Sequence, residues 1–171
     1  MILEKEIITN IQKEVMFLVG KIKVNNKYFI DKIEEGIKDS QNNFTTNVVG
    51  FMTRWDYFCK DKEFIKILMP ILDKIDENKS IRSFSLKEAW GLKEGFSHQT
   101  KEHDHPEYLS GVIYLNNHTQ ELIFPQINQK VKPEKGKFVV FSSELRHKTN
   151  RNNSDKNKYA LSFNFKLNLF K

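Results

Sequence analysis

The sequence predicts an α+β protein in which two helices pack on the outside of a jelly-roll barrel of short strands. Apolar residues recur at helical spacing in two segments of the first half of the chain. Short apolar runs separated by turn residues fill the second half. Helices first and strands afterwards is an order typical of α+β folds, and many short strands indicate a barrel.

The first half opens with a predicted strand from Val15 to Val24, which is rich in β-branched residues. A helix from Lys27 to about Ser40 follows, because apolar residues recur there every three or four positions and share one face. The polar segment from Asp39 to Asn43 ends it. The residues on the apolar face are Phe29, Ile30, Ile33 and Ile37.

A second strand, Thr45 to Trp55, is predicted at the outer edge of the sheet. The second helix is predicted from Asp61 to Glu77, with Asp61 as its N-cap. Pro70 lies inside it and should kink or split the helix, because proline lacks the backbone donor and crowds the preceding turn. The inward-facing residues are Phe64, Leu68, Ile71, Leu72 and Ile75.

The second half begins after a loop at 78–80 with a predicted strand from Ile81 to Leu92 that contains Trp90. Beyond it, two apolar runs stand out as buried strands, Leu109 to Leu115 and Phe138 to Phe141. Turn residues separate the strands. The breaks are Gly95, Asn116 to Thr119, Pro133 to Gly136 and Arg151 to Asn157.

The length of 171 residues predicts one domain, 1–171, with 1–80 as a helix-containing support and 81–171 as the core strands. The net charge of +6 raises the question of nucleic-acid binding. Only four of the 28 basic residues are arginine, however, and the lysines are scattered among acids. A nucleic-acid partner is therefore not expected.

The composition also predicts the compartment. Cys59 is the single cysteine, so it cannot form an intramolecular disulfide, which fits a reducing environment. No apolar run approaches the length of a membrane span, and the N-terminus has no basic segment leading into an apolar one. A cytoplasmic protein without a membrane partner is expected.

Three histidines predict a metal site. His103 and His105 are two residues apart, and in an extended chain such residues point to the same side. His147 follows the strand from Phe138 to Phe141. A ligand pair near the start of one strand and a third ligand after a later strand is the layout of a mononuclear metal site in a β-barrel.

These residues belong to blocks that resemble a known family. HDHPEYLSGVIYLN from His103 to Asn116 is followed by LIFP, by PEKGKFVVFSSELRH ending at His147, and by SFNF. Together, over Trp90 to Phe165, they resemble the iron(II)- and 2-oxoglutarate-dependent oxygenases, and within them the short, prolyl-hydroxylase-like branch of bacteria and bacteriophages. The resemblance implies a double-stranded β-helix barrel of the cupin type.

The same resemblance implies an activity. With iron(II), 2-oxoglutarate and oxygen, such an enzyme decarboxylates 2-oxoglutarate to succinate and hydroxylates a substrate, here a protein side chain such as proline or a small molecule. It would act in a bacterial or phage-infected cell. Two alternatives are a non-catalytic metal-binding jelly-roll module, for example in a phage particle, and an oxidative demethylase of nucleic acid, which only the positive charge supports.

The ligand set departs from the family pattern of two histidines and one carboxylate, because His105 stands where an acid is usual. Three sets are open: His103, His105 and His147; His105 and Glu107 with His147; or a set that includes Asp104 on a bulged strand. The first is favoured, because Asp104 should point away from its neighbours on a regular strand.

For 2-oxoglutarate, the resemblance implies a basic residue on the last core strand, about ten residues after the distal histidine. Lys158 fits, with Lys156 second, since a buried carboxylate needs a cation. Tyr114 matches a position whose hydroxyl holds the same carboxylate, although it is equally compatible with a core aromatic. Ser110 shares its face, four residues earlier. His98 and His118 lie on predicted turns and are expected outside the site, and Trp90 is expected to be a core residue and not a substrate platform.

Overall fold

A computed structural model describes residues 13–39, 46–78 and 84–168. Among them are two α-helices and eleven strands, labelled in chain order. The elements are β1 Phe17–Lys21, α1 Asn26–Asp39, β2 Val48–Val49, β3 Phe51–Met52, α2 Lys62–Asn78, β4 Phe84–Glu94, β5 Gln99–Thr100, β6 Leu109–Tyr114, β7 Leu122–Phe124, β8 Gln129–Val131, β9 Lys137–Ser142, β10 Lys148–Thr149 and β11 Lys158–Leu167.

The strands form a jelly roll, as the sequence predicts. The larger sheet has six antiparallel strands in the order β1-β9-β6-β11-β4-β3. Two smaller sheets, β10-β7-β8 and β2-β5, complete the barrel. The non-sequential order places strands that are far apart in the chain side by side, so residues of both halves line the same interior.

Strand alternation gives the larger sheet two different faces. Phe163 lies opposite Ala89 and Gly111 in the register, whereas the adjacent Ser162 lies opposite Trp90 and Val112. Because successive side chains point to opposite faces, the first set packs against the helices and the second faces the barrel interior. Each face has its own apolar cluster.

The helices cover the outer face of the sheet. Phe29 and Ile33 of α1 are fully buried, as are Phe64 and Ile75 of α2. Helix α1 comes close to the sheet where the sheet carries Gly91. A Cβ atom at that position would lie 2.3 Å from a side-chain carbon of Ile33. The helices therefore support the sheet from outside and leave its inner face free for a site.

Asp61 caps the second helix as predicted. Its carboxylate accepts a hydrogen bond from the backbone N–H of Phe64 at 2.8 Å, which satisfies a donor that the helix itself cannot pair. The hydroxyl of Tyr28 on α1 donates to the same carboxylate at 2.6 Å. One side chain thus joins the two helices.

One local prediction is wrong. The stretch from Thr45 to Trp55 is not one strand, because the chain bends at Gly50 and β2 and β3 belong to different sheets. Of the two effects predicted for Pro70, a split does not occur, because α2 continues through it on an exposed face. Water can reach the carbonyl that Pro70 leaves without an amide partner there.

Several predicted boundaries lie outside the described residues. These are Ser40 to Asn43 of the polar break, Thr45, the loop residues Lys79 and Ser80, and the start of the Ile81 strand. Within the described part of the chain, no helix combines the length and the apolar character that a membrane span requires.

Replacing Phe163 by Ala should destabilise the protein by about 3–5 kcal/mol, because a fully buried ring between sheet and helices would leave a cavity. The ring centroid lies 6.0 Å from that of Phe64. Urea unfolding would measure the loss. Phe96→Ala is the matched control, since Phe96 is 70% exposed and should change stability by less than about 0.5 kcal/mol. Equal effects of the two substitutions would contradict the packing described.

Candidate metal centre

Main-chain hydrogen bonds bring the three histidines together. His103 and His147 form an antiparallel bridge in which each backbone N–H donates to the other residue's carbonyl, at 3.1 and 2.9 Å. The N–H of His105 donates to the carbonyl of Ser143 at 2.9 Å. The segment with His103 and His105 is extended, but it is fixed by these isolated bonds and is not part of a regular strand.

The ring nitrogens converge on one point. One candidate ligand atom from each of His103, His105 and His147 lies within 4.8 Å of the others. In His103 and His147 the Nδ1 atom lies 2.8 and 3.0 Å from the carbonyl oxygens of Lys101 and Leu145. A carbonyl can only accept, so Nδ1 carries the proton and Nε2 keeps its lone pair. This tautomer lets each ring bind a metal through Nε2.

Burial keeps the three imidazoles neutral. Desolvation lowers the pKa of His147 to about 3 and that of His105 to about 4, and the neighbouring His103 adds repulsion in both cases. The pKa of His103 is lowered too, mainly by burial. Rings of Phe124 and Phe141 pack on His147 and form part of its apolar surroundings. Neutral imidazole is the form that binds metals.

The two acidic alternatives lie elsewhere. Asp104 is exposed to solvent. The Glu107 carboxylate forms a salt bridge with the ammonium group of Lys87, at 2.5 Å. Among the described residues, the cluster that could hold an ion consists of the three histidines. The geometry therefore favours the three-histidine set among those that the sequence left open.

A cavity of about 50 Å³ lies next to the histidines, inside the barrel. Its wall carries a buried ion pair: the Lys158 ammonium group lies 2.5 Å from a carboxylate oxygen of Glu94, and the two residues are 3% and 1% exposed. Tyr114 also lines the cavity. Burial raises the pKa of Tyr114, and the Glu94 charge raises it further. Its hydroxyl thus stays protonated and able to donate a hydrogen bond.

Solved structures share this architecture. A viral collagen prolyl hydroxylase from Paramecium bursaria Chlorella virus-1, in complex with 2-oxoglutarate, matches with a TM-score of 0.67 and 14% identity over 90% of this chain and 96% of that chain. A Pseudomonas putida prolyl-4-hydroxylase matches with a TM-score of 0.62 and 13% identity over 88% of this chain and 91% of that chain.

A third match is HygX from Streptomyces hygroscopicus, with nickel, 2-oxoglutarate and hygromycin B bound. Its TM-score is 0.62 and its identity 12%, over 88% of this chain and 82% of that chain. The chain has the fold of the iron(II)- and 2-oxoglutarate-dependent oxygenases. No family model matches the sequence, and no curated protein matches it either.

Within this oxygenase fold, the structure separates the two lysines that the sequence offered. Lys158 begins β11 and points into the cavity, whereas Lys156 is exposed to solvent. Two histidines lie outside the cluster, as expected. His98 accepts a hydrogen bond from the N–H of Gly95, and His118 accepts one from the N–H of Gln120. Both stabilise turns.

Ser110 and Trp90 also line the cavity of the oxygenase fold. The hydroxyl of Ser110 donates to the side-chain oxygen of Asn164 at 2.8 Å and lies 2.8 Å from the hydroxyl of Ser143. Trp90 is a core residue, but its indole N–H has no hydrogen-bond partner among the described residues. A buried donor of this kind is suited to an acceptor on a bound molecule.

Sequence reasoning missed Glu94, because it ended the Trp90 strand at Leu92. A signal was present. A lysine placed inside a barrel needs a counter-charge, since charged side chains are almost never fully buried unless they are paired. That requirement predicts an acid on a neighbouring strand, but the sequence does not say which acid faces Lys158.

Lys158→Met should destabilise the protein by about 3–5 kcal/mol, because it leaves the Glu94 carboxylate buried without a partner. The double substitution Lys158→Met with Glu94→Leu should recover most of that loss, since both charges of the pair are removed together. Urea unfolding would measure both. The exposed pair of Lys27 and Asp31 provides the control, and Lys27→Met should have little effect. A single substitution without effect would contradict a buried pair.

Proposed function

We propose that this chain is an iron(II)- and 2-oxoglutarate-dependent dioxygenase that hydroxylates its substrate and converts 2-oxoglutarate to succinate. The convergence of three ring nitrogens beside a cavity with a buried lysine carries the proposal. His103, His105 and His147 would hold the metal. Lys158 would hold the distal carboxylate of 2-oxoglutarate, assisted by the hydroxyl of Tyr114 and, once its hydrogen turns from Asn164 to the ligand, by that of Ser110.

The residues present fit these groups. The proton on Nδ1 leaves Nε2 of His103 and of His147 available for a metal ion. The indole N–H of Trp90, which has no partner in the described part of the chain, and the protonated hydroxyl of Tyr114 are donors for oxygen atoms of a bound acid. Bound iron would supply the oxidative chemistry, and the protein supplies orientation and a cavity lined mostly by buried residues.

The comparisons support two substrate classes. Two of the matched structures are prolyl hydroxylases, and the third has hygromycin B bound. We therefore propose a protein side chain such as proline, or a small molecule, as the group that is hydroxylated. Nucleic acid is disfavoured because few of the basic residues are arginine.

Anaerobic addition of iron(II) and then 2-oxoglutarate should produce a visible metal-to-ligand charge-transfer band. His147→Ala should abolish the band, because it removes the most buried of the three imidazoles. His98→Ala is the matched control and should keep it, since His98 lies outside the cluster. A parent protein that gives no band would contradict the proposal and favour a metal-binding module without oxygenase activity.

Acid should weaken metal binding far less than is usual for a histidine site. Three unperturbed imidazoles would lose about a thousandfold in affinity between pH 7.5 and pH 5.5, because protonated rings cannot bind a metal. With the pKa of His147 near 3 and that of His105 near 4, only His103 can titrate in that range, so we expect a loss of about tenfold at most. Competition with a chelator for zinc(II) would measure it.

The reference for this titration is the loss of about a thousandfold that three imidazoles with ordinary pKa values would show over the same range. A loss of about a hundredfold or more in the folded protein would mean that the imidazoles are not shielded as described.

A further inference from the structure

Glu94 forms an ion pair with Lys158, the residue proposed to bind the distal carboxylate of 2-oxoglutarate. It lies directly opposite Lys158 in the register of β4 and β11, so their side chains share the inner face as cross-strand neighbours. The ammonium group lies 2.5 Å from Glu94 Oε2. Both side chains are almost fully buried, which makes this a close, desolvated contact.

A second contact holds Glu94 in place. The hydroxyl of Thr100 donates to Glu94 Oε1 at 3.2 Å, and the backbone N–H of Thr100 donates to the hydroxyl of Thr149 at 2.8 Å. The carboxylate is therefore bound on both oxygens, to β11 through Lys158 and to β5 through Thr100. These two contacts fix the Glu94 carboxylate in the cavity wall.

The charge of this pair is zero, which changes what the cavity can accept. The distal carboxylate of 2-oxoglutarate would meet a lysine whose charge is already balanced, and it would approach the Glu94 carboxylate as a like charge. Repulsion between like charges is strong where water is excluded.

We propose that Glu94 competes with the distal carboxylate of 2-oxoglutarate for Lys158, and that Glu94 thereby sets the affinity and selectivity of the cavity for 2-oxo acids. This inference rests on the proposed function, because it takes 2-oxoglutarate as the ligand. Binding requires that Glu94 release Lys158. The carboxylate of the ligand then gains only the difference between two similar ion pairs, so it contributes little to affinity.

The experiment combines two proteins with two ligands. Wild type and Glu94→Gln, each loaded with manganese(II) under anaerobic conditions, are titrated calorimetrically with 2-oxoglutarate and with 2-oxopentanoate, which has the same carbon chain without the distal carboxylate. In wild type the two acids should bind within about tenfold of each other. In Glu94→Gln, the affinity for 2-oxoglutarate should rise by about 10- to 100-fold, because Lys158 is free to pair with its distal carboxylate. The affinity for 2-oxopentanoate should change little, because that acid has no distal carboxylate.

Glu88→Gln is the matched control. Glu88 is also on β4 and on the same face, but its carboxylate accepts from the side chain of Asn164 and lies away from Lys158. It should leave the ratio between the two acids unchanged. If Glu94→Gln does not fold, the wild-type ratio alone decides, because an unobstructed Lys158 would favour 2-oxoglutarate by about a hundredfold.

The outcomes separate the two proposals. Metal-dependent binding of 2-oxoglutarate that Glu94→Gln leaves unchanged or weakens would overturn the role of Glu94 and keep the proposed function. A wild type that already favours 2-oxoglutarate by about a hundredfold would do the same. If neither protein binds either acid in a metal-dependent way, the proposed function fails and this inference fails with it.

Discussion

The register of β11 between β4 and β6 is the constraint on which the rest of the structure depends. Because side chains alternate along β11, Leu161 and Phe163 face the helices while Lys158 and Ser162 face the barrel interior. A slip by one residue would move the lysine into the apolar layer under the helices and a phenylalanine into the cavity. Packing on the outer face therefore fixes the chemistry on the inner face.

Burial away from water has opposite effects on the metal centre and on the lysine beside it. It favours the neutral form of the three histidines, which suits them to bind a metal. It also makes an unpaired Lys158 costly, and Glu94 supplies the counter-charge within the protein. One physical condition thus prepares the metal centre and restricts the neighbouring anion site. The balance between the two depends on how readily Lys158 exchanges one carboxylate for another.

The sequence predicts what depends on local spacing. Periodicity gives both helices, Asp61 gives the helix cap, and the spacing of His103 and His105 indicates a chelating pair. What it does not predict depends on pairing between distant segments. Spacing along the chain cannot tell that Glu94 lies opposite Lys158, or that a bend at Gly50 sends β2 and β3 to different sheets. Those facts are set by the order of strands in the barrel.

The bonds that position the histidines have a consequence for how such a centre can change. His103 and His147 are joined through their main chains, and His105 is held by its backbone N–H, so the framework does not depend on the identity of the side chains it displays. A substitution at one of these positions can alter the donor atom offered to an ion while the backbone path stays the same. The backbone fixes the position of each ligand, and the side chain alone fixes its donor atom. One type of ligand can therefore replace another in evolution while the barrel keeps its structure.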